Sequence, residues 1–246
     1  MIEEDLDRLY AALQRLEAGV GGRRRLSQCT GKDPWPARGV YIVFEPGETR
    51  PGTGQLRVVR VGTHAVSGPS RTKLWTRLRT HRGAIRPNSR PGNHRGSIFR
   101  LHVGKALARR NPALYVPSWG EGQSAPAEVR ENERALEAAV SKHIGAMTLL
   151  WLAVDDASGP QSDRAFLERN LVGLLAQACE LPSDDWLGNY SAEERIRKSG
   201  LWNLNHLKHS YTPEFLDILE EYVAVTVGDK AKPGKSIAPM NRNGRE

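Results

Sequence analysis

Lys73, Arg77 and His81 recur at i, i+4 and i+8 within Thr72–Arg82, which sets them on one face of a helix, while Leu74, Trp75 and Leu78 mark another face. An Arg and a His one turn apart can act on phosphate. The planar guanidinium donates two parallel hydrogen bonds to phosphate oxygens, and an imidazole can share a proton, position water or contact phosphate. Their bland counterpart is a surface arginine and a histidine near a helix C-terminus, where the helix dipole favours a cation. Glu168 lies four residues after Arg164 and is followed by the apolar positions Leu171 and Leu175, at the edge of a buried stripe. It can form a helix pair with Arg164, worth only ~0.3–0.5 kcal/mol. It can equally be the lone carboxylate of a hard divalent cation, because Mg²⁺ often takes one or two protein oxygens and keeps its waters for a substrate phosphate. Tyr41 sits mid-way along an apolar run, where a phenol is either half-buried packing or a general base or water-positioning hydroxyl. The second role needs cationic or metal neighbours, since an ordinary tyrosine titrates near ~10.

These residues sit in an unusual charge field. Of 246 residues, 36 are Lys or Arg and 28 Asp or Glu, a formal net charge of +8. From Thr49 to Gly120 there is no Asp or Glu, while that stretch holds 13 Arg plus Lys73 and Lys105. The remainder of the chain is mildly acidic. Mixed signs suffice for solubility, so a segment of one sign points to a polyanionic partner, above all nucleic acid. The bland alternative is a basic surface that neutralises an acidic partner domain or subunit. Within the segment, Arg79, Arg86, Arg90 and Arg95 join Lys73 as candidate phosphate contacts. No apolar run approaches the roughly 18 residues needed to span a bilayer, and the acidic, amphipathic N-terminus does not read as a secretory signal. Cys29 and Cys179 form no disulfide framework and no zinc-type spacing, and His64, His94 and His102 lack i, i+4 partners. The expected compartment is a reducing cytoplasm.

Periodicity places the elements that must carry these groups. Ile2, Leu6, Leu9, Leu13, Leu16 and Val20 predict an amphipathic helix that could dock on the core or form the seam of a homodimer, followed by a Gly-Gly-Arg-Arg-Arg linker. Gly39–Phe44 and Leu56–Val61 read as two strands of a hairpin, with Glu45–Gly54 as the loop between them. Arg60 alternates with Val59 and Val61, so its side chain is expected on the opposite face from theirs, either in a cleft or in solvent. Gly83–Gly96 reads as a basic, broken loop and Ser97–Val103 as a strand. A helix over Glu128–His143, a buried strand over Met147–Val154 and a helix over Asp163–Cys179 follow. A capping box at Ser191–Glu194 opens a short helix, and Thr212–Pro213 opens the last, through Val223. The cluster Leu201–His206 is either a structural turn anchored by Trp202 or brings an Asn or His206 to the cleft. From Gly228 onward the composition is that of a disordered tail.

Gly39-Val40-Tyr41, then Arg60-Val61-Gly62, then a helix bearing Arg77 and His81 resembles the GIY-YIG nuclease superfamily, with Arg60 standing where the family usually has a second Tyr. An Arg followed four residues later by a His is similar to the restriction-endonuclease branch. The resemblance covers roughly residues 38–205, with a long insertion before Glu168, which matches the family's single Glu. It implies catalytic roles for Tyr41, Arg77 and His81, a metal role for Glu168 with Mg²⁺ or Mn²⁺, and a supporting Asn at Asn189, Asn203 or Asn205, with Asn189 favoured by spacing.

Taken together, the sequence predicts an α/β (α+β type) chain with a small, mostly antiparallel sheet flanked by helices. The N-terminal helix and basic linker occupy 1–25, a GIY-YIG-like catalytic domain 26–227 with an insertion around 83–146, and the tail 228–246. The expected function is metal-dependent hydrolysis of phosphodiester bonds in double-stranded DNA. A non-catalytic nucleic-acid binder of the same fold and a basic protein-interaction module are the alternatives.

Overall fold

Val40, Ile42 and Phe44 alternate with Tyr41 and Val43, and in an extended strand this alternation sends the two sets to opposite faces. The computed structural model describes residues 1–66, 68, 70–84 and 91–230, and it shows both faces covered. The strands are β1 (Arg24–Arg25), β2 (Gly39–Thr49), β3 (Leu56–Gly62) and β4 (Thr148–Ala153), in the order β1-β4-β2-β3 with every pairing antiparallel. One face packs α1 (Ile2–Gly19), α6 (Asp163–Ala178) and α8 (Phe215–Val227) against Val40, Ile42, Phe44, Leu150 and Leu152. The other packs α2 (Leu74–Arg82), α3 (Ile98–Arg110) and α5 (Arg134–Ala146) against Tyr41, Val43, Leu149 and Trp151. Two short helices, α4 (Ala127–Asn132) and α7 (Glu194–Ser199), complete the α-helices among the described residues. The chain is thus an α/β fold around a small antiparallel sheet. The run Met147–Val154 is apolar throughout because β4 lies between two strands and under helices on both faces.

Several local expectations change. The N-terminal helix buries Leu6, Leu9, Leu13 and Leu16 in the same core as the sheet, so its apolar stripe is used within the chain. The basic stretch after it supplies the edge strand β1. β2 runs on to Thr49 through residues read as loop. Ser97–Val103 is not a strand but the first half of α3. Ser97 caps it by accepting the backbone N–H of Arg100, and Phe99, Val103 and Ala106 face the core at helical spacing. The alternation misled because the polar partners in it, Arg100 and His102, are themselves buried.

β3 is an edge strand, and its outer rim is occupied by the segment after α7. The N–H of Trp202 donates to the Val59 carbonyl at 2.7 Å, and the Asn203 amide exchanges two hydrogen bonds with Val61, at 3.1 and 2.8 Å. Pairing in this way keeps an exposed ladder from recruiting another strand. A bulge interrupts the β2–β3 ladder: Val43 faces Arg60, yet Phe44 faces Val58, leaving Val59 as the extra residue. Arg60 and Val59 therefore do not take opposite faces. Val59 packs in the core that holds Tyr41, only Val61 lies on the far side, and the Arg60 guanidinium lies 4.7 Å over the ring of Phe99.

Candidate active site

The bulge, the start of β2 and the last turn of α2 meet on one face of the sheet. Tyr41 stands opposite Gly62, and that glycine is required by close approach: a Cβ there would lie 2.2 Å from the tyrosine oxygen. The phenol crosses the glycine and reaches His81, with Oη 2.8 Å from Nε2. His81 Nδ1 lies 2.7 Å from the Ser97 hydroxyl at the cap of α3, and Arg100 Nη1 donates to the His81 carbonyl at 2.9 Å. Tyr41, His81 and Ser97 are all buried. Burial, reinforced by the guanidiniums of Arg77, Arg60 and Arg100, holds the His81 imidazole well below its ordinary range, so the ring is neutral at neutral pH.

Arg60 donates to the Trp202 carbonyl at 2.7 Å and is otherwise sandwiched on Phe99, while its Nε has no hydrogen-bond partner. A guanidinium fixed by one backbone carbonyl and one ring retains donors for an anion. Trp202 is itself held by Glu45, whose carboxylate accepts the indoles of both Trp186 and Trp202 at 3.0 Å. Arg77 is half-buried and acts electrostatically on His81, on Glu168 and on the imidazole of His64.

Glu168 reaches this group from α6, on the other side of the sheet. The alternative Arg164–Glu168 helix pair does not form, because Arg164 is buried against Asp156 and the carbonyl of His64. Glu168 is half-exposed as a residue, but burial of its carboxyl raises its pKa, opposed by Arg60, the Thr63 backbone N–H and Arg77. Among the described residues no group of three or more His, Cys, Asp or Glu is arranged to hold a metal ion. A single hard oxygen ligand beside the guanidiniums of Arg60 and Arg77 does fit Mg²⁺ or Mn²⁺, which keeps most of its coordination shell for water and substrate. It does not fit a metal that needs a full protein cage.

The remaining candidates separate. Lys73, the extended residue that precedes α2, and Arg79 on α2 are exposed. Arg95 is not a free phosphate contact: both its terminal nitrogens bind Glu133, at 2.6 and 2.8 Å, and its side chain is 4% exposed. Arg86 and Arg90 lie outside the described residues. Asn203 sits one residue past Trp202, on the rim of β3 next to Gly62, whereas Asn189 closes its own turn on the carbonyls of Ser183 and Asp184, and Asn205 is exposed. Ser97, Thr63, Phe99 and Trp202 were not singled out as site residues from sequence. Only Ser97 carried a usable signal, as a serine placed just before a run that can be read as a helix start.

A comparison with protein-family models matches the description "GIY-YIG domain" over residues 1–228. Comparisons with curated proteins and with solved structures return no significant match.

Proposed function

The chain belongs to the GIY-YIG domain family, a nuclease-type family that acts on nucleic acid, and from that premise we propose that it is a metal-dependent endonuclease hydrolysing phosphodiester bonds in double-stranded DNA. The observation that supports this reading is the Tyr41 oxygen 2.8 Å from a neutral His81, with Arg60 and Arg77 acting electrostatically on both His81 and the Glu168 carboxyl. Arg77 and Arg60 bind the scissile phosphate and offset the charge that builds on it as water attacks in line. Tyr41 or the neutral His81, with Oη and Nε2 2.8 Å apart, orients that water and takes up its proton. Asn203 keeps the rim of β3, and with it Gly62, in register. A divalent ion held by Glu168 would stabilise the leaving oxygen. The exposed Lys73 and Arg79 track the duplex backbone. With two free cysteines, one buried and one exposed, we assign the protein to a reducing cytoplasm. No helix among the described residues is long and apolar enough to cross a membrane.

The direct test is incubation with supercoiled plasmid and Mg²⁺ or Mn²⁺, read for nicked and linear product. The parent protein cuts, while Tyr41→Phe and Glu168→Gln fold, bind DNA and lose cleavage by about 10²-fold or more. A Glu168→Gln protein that cuts at the parental rate removes the metal assignment. A parent that binds DNA but cuts under neither ion is a non-catalytic binder, the reading that Arg60 in place of a second tyrosine favours.

A further inference from the structure

We propose that the outer face of α3 is a second track for the backbone of duplex DNA, leading away from the site and ending in an arginine pair, Arg109 with Arg197, that grips a phosphate. The inference rests on the nuclease reading for its partner and deepens it by placing a second stretch of the substrate. Ile98, His102, Lys105 and Arg109 stand at i, i+4, i+7 and i+11, so they form one stripe along the helix. The stripe begins beside the site, because Ser97, which caps the helix, holds its hydroxyl 2.7 Å from His81 Nδ1. It ends at Arg109, about 16 Å further along the helix axis. That length matches roughly five phosphates of one strand. Ile98 is 52% exposed and Arg109 is exposed, with Lys105 half-buried between them, so the stripe faces outward at both ends.

The charge along this stripe has one sign, since α3 carries no Asp or Glu. Arg95 and Arg100, from the same basic segment, are paired with Glu133 and Glu137. Lys105, Arg109 and Arg197 differ: among the described residues no carboxylate lies within ion-pair distance of them, and the nearby Glu194 is paired with Lys198 while it acts on Arg197 through space. Arg109 and Arg197 instead both donate to the carbonyl of Ser191, Arg109 at 3.0 Å. One backbone oxygen therefore holds two guanidiniums side by side. That oxygen is neutral, so the positive charge stays uncancelled, and each guanidinium keeps further N–H groups for an anion. Two adjacent forks without a carboxylate suit the oxygens of one phosphate.

Between the two ends, His102 is buried and neither of its ring nitrogens has a hydrogen-bond partner, an unsatisfied polar group under the cationic side chains. Burial lowers its pKa against Glu193, with Lys105, Arg60 and Arg195 adding to the lowering. Arg60 in the site and Lys105 on the stripe thus act on one imidazole, which makes the positive field continuous from site to stripe. Glu193 is the carboxylate that opposes it, and it lies 3.8 Å from Arg195. A straight row of cations over this length suits a partner whose charges are rigidly and evenly spaced. A duplex backbone is such a partner, and an acidic peptide is not.

The test is fluorescence anisotropy of the full chain with two unrelated labelled duplexes over roughly 50–200 mM salt, run beside plasmid nicking. The variant Lys105→Gln/Arg109→Gln/Arg197→Gln, its fold checked by urea unfolding, is expected to bind both duplexes about tenfold more weakly or worse. Its slope of log affinity against log salt should fall by roughly 2, from the phosphate at Lys105 and the one shared by the arginines. In the parent, bound duplex should slow acetylation of Lys105. A folded variant with parental affinity and slope overturns the proposal. Should the variant not fold, the parent decides, because Lys105 acetylated equally fast with and without bound duplex overturns it too. Polyglutamate that displaces the duplex at equal charge concentration overturns it in favour of an acidic protein partner. A parent that nicks plasmid while the folded variant binds like the parent keeps the nuclease reading and removes the track. A parent whose Lys105 is protected but which nicks no plasmid keeps the track and removes the nuclease reading.

Discussion

Arg77 and Arg60 show how little residue type alone says about a site. Both are arginines of one acid-free segment, but Arg60 is buried over Phe99 with its guanidinium set by the Trp202 carbonyl, and Arg77 is half-buried where the site meets the surface. In the proposed nuclease Arg77 is the member of the pair at the surface, where it would fork onto phosphate while Arg60 supports from behind. Its value should lie in the planar fork and not in charge alone. Arg77→Ala is expected to lower plasmid nicking by about 10²–10³-fold, and Arg77→Lys should recover little of that loss. Equal nicking by Arg77→Lys and the parent would reduce Arg77 to a source of general positive potential.

Among the elements, α5 explains where much of the basic segment goes. Arg95 pairs with Glu133 at the head of α5 and Arg100 with Glu137 one turn later, while Arg50 and Arg57 from the hairpin pair with Glu180 and Glu48. The acid-free segment is therefore matched in part by carboxylates that flank it, and these arginines build the wall behind His81 and the hairpin. Arg95→Ala should leave a buried Glu133 carboxylate unpaired and cost about 3–5 kcal/mol of stability. The double variant Arg95→Ala/Glu133→Ala should recover part of that, read by urea unfolding as a mutant cycle. DNA affinity lost without any change in stability would instead make Arg95 a phosphate contact.

Over the whole molecule, two solution properties follow from where charge is exposed and where it is buried. Replacing the exposed Lys73 and Arg79 together by Gln should weaken binding to unrelated duplexes alike and reduce the slope of log affinity against log salt by roughly 2. An unchanged slope would move the DNA surface away from α2. The buried histidines set the response to pH. His64 is pushed down to about 4 by burial and by Arg164, opposed by the Ala37 backbone, with Arg38 and Arg77 adding smaller lowering effects. Between about 4 and the ordinary 6.5 the unfolded chain binds a proton at this position that the folded chain refuses. Stability from this group is thus full above that window and falls as pH drops through it, by at most about 1.4 kcal/mol per pH unit. His81 acts with the same sign, and Glu168, whose carboxyl is raised, runs opposite above its ordinary range. His64→Gln should flatten the dependence of urea midpoint on pH between 4.5 and 6.5, and an identical dependence would place His64 in water.

The sequence by itself determined the elements whose periodicity is set by a single buried face or by two: the N-terminal helix, the hairpin strands, the apolar β4 and the helix that carries Glu168. The resemblance to the GIY-YIG motifs grouped Tyr41, Gly62, Arg77 and His81, and hairpin and helix, being neighbours along the chain, bring Tyr41 to Gly62 and to His81. What the sequence could not settle was decided by contacts between distant residues. α3 was hidden because its inward face includes Arg100 and His102, and a buried arginine is stable there only because Glu137, far along the chain, supplies its carboxylate. Arg60 was aimed by a bulge and by the Trp202 carbonyl, neither of which alternation along β3 encodes. Asn203 over Asn189 as the asparagine beside Gly62, and Asp156 in place of Glu168 as the partner of Arg164, depended on how loops close over an edge strand. Pattern reports the face a residue prefers, while the identity of the partner that makes a buried charge tolerable is a property of the assembled core alone.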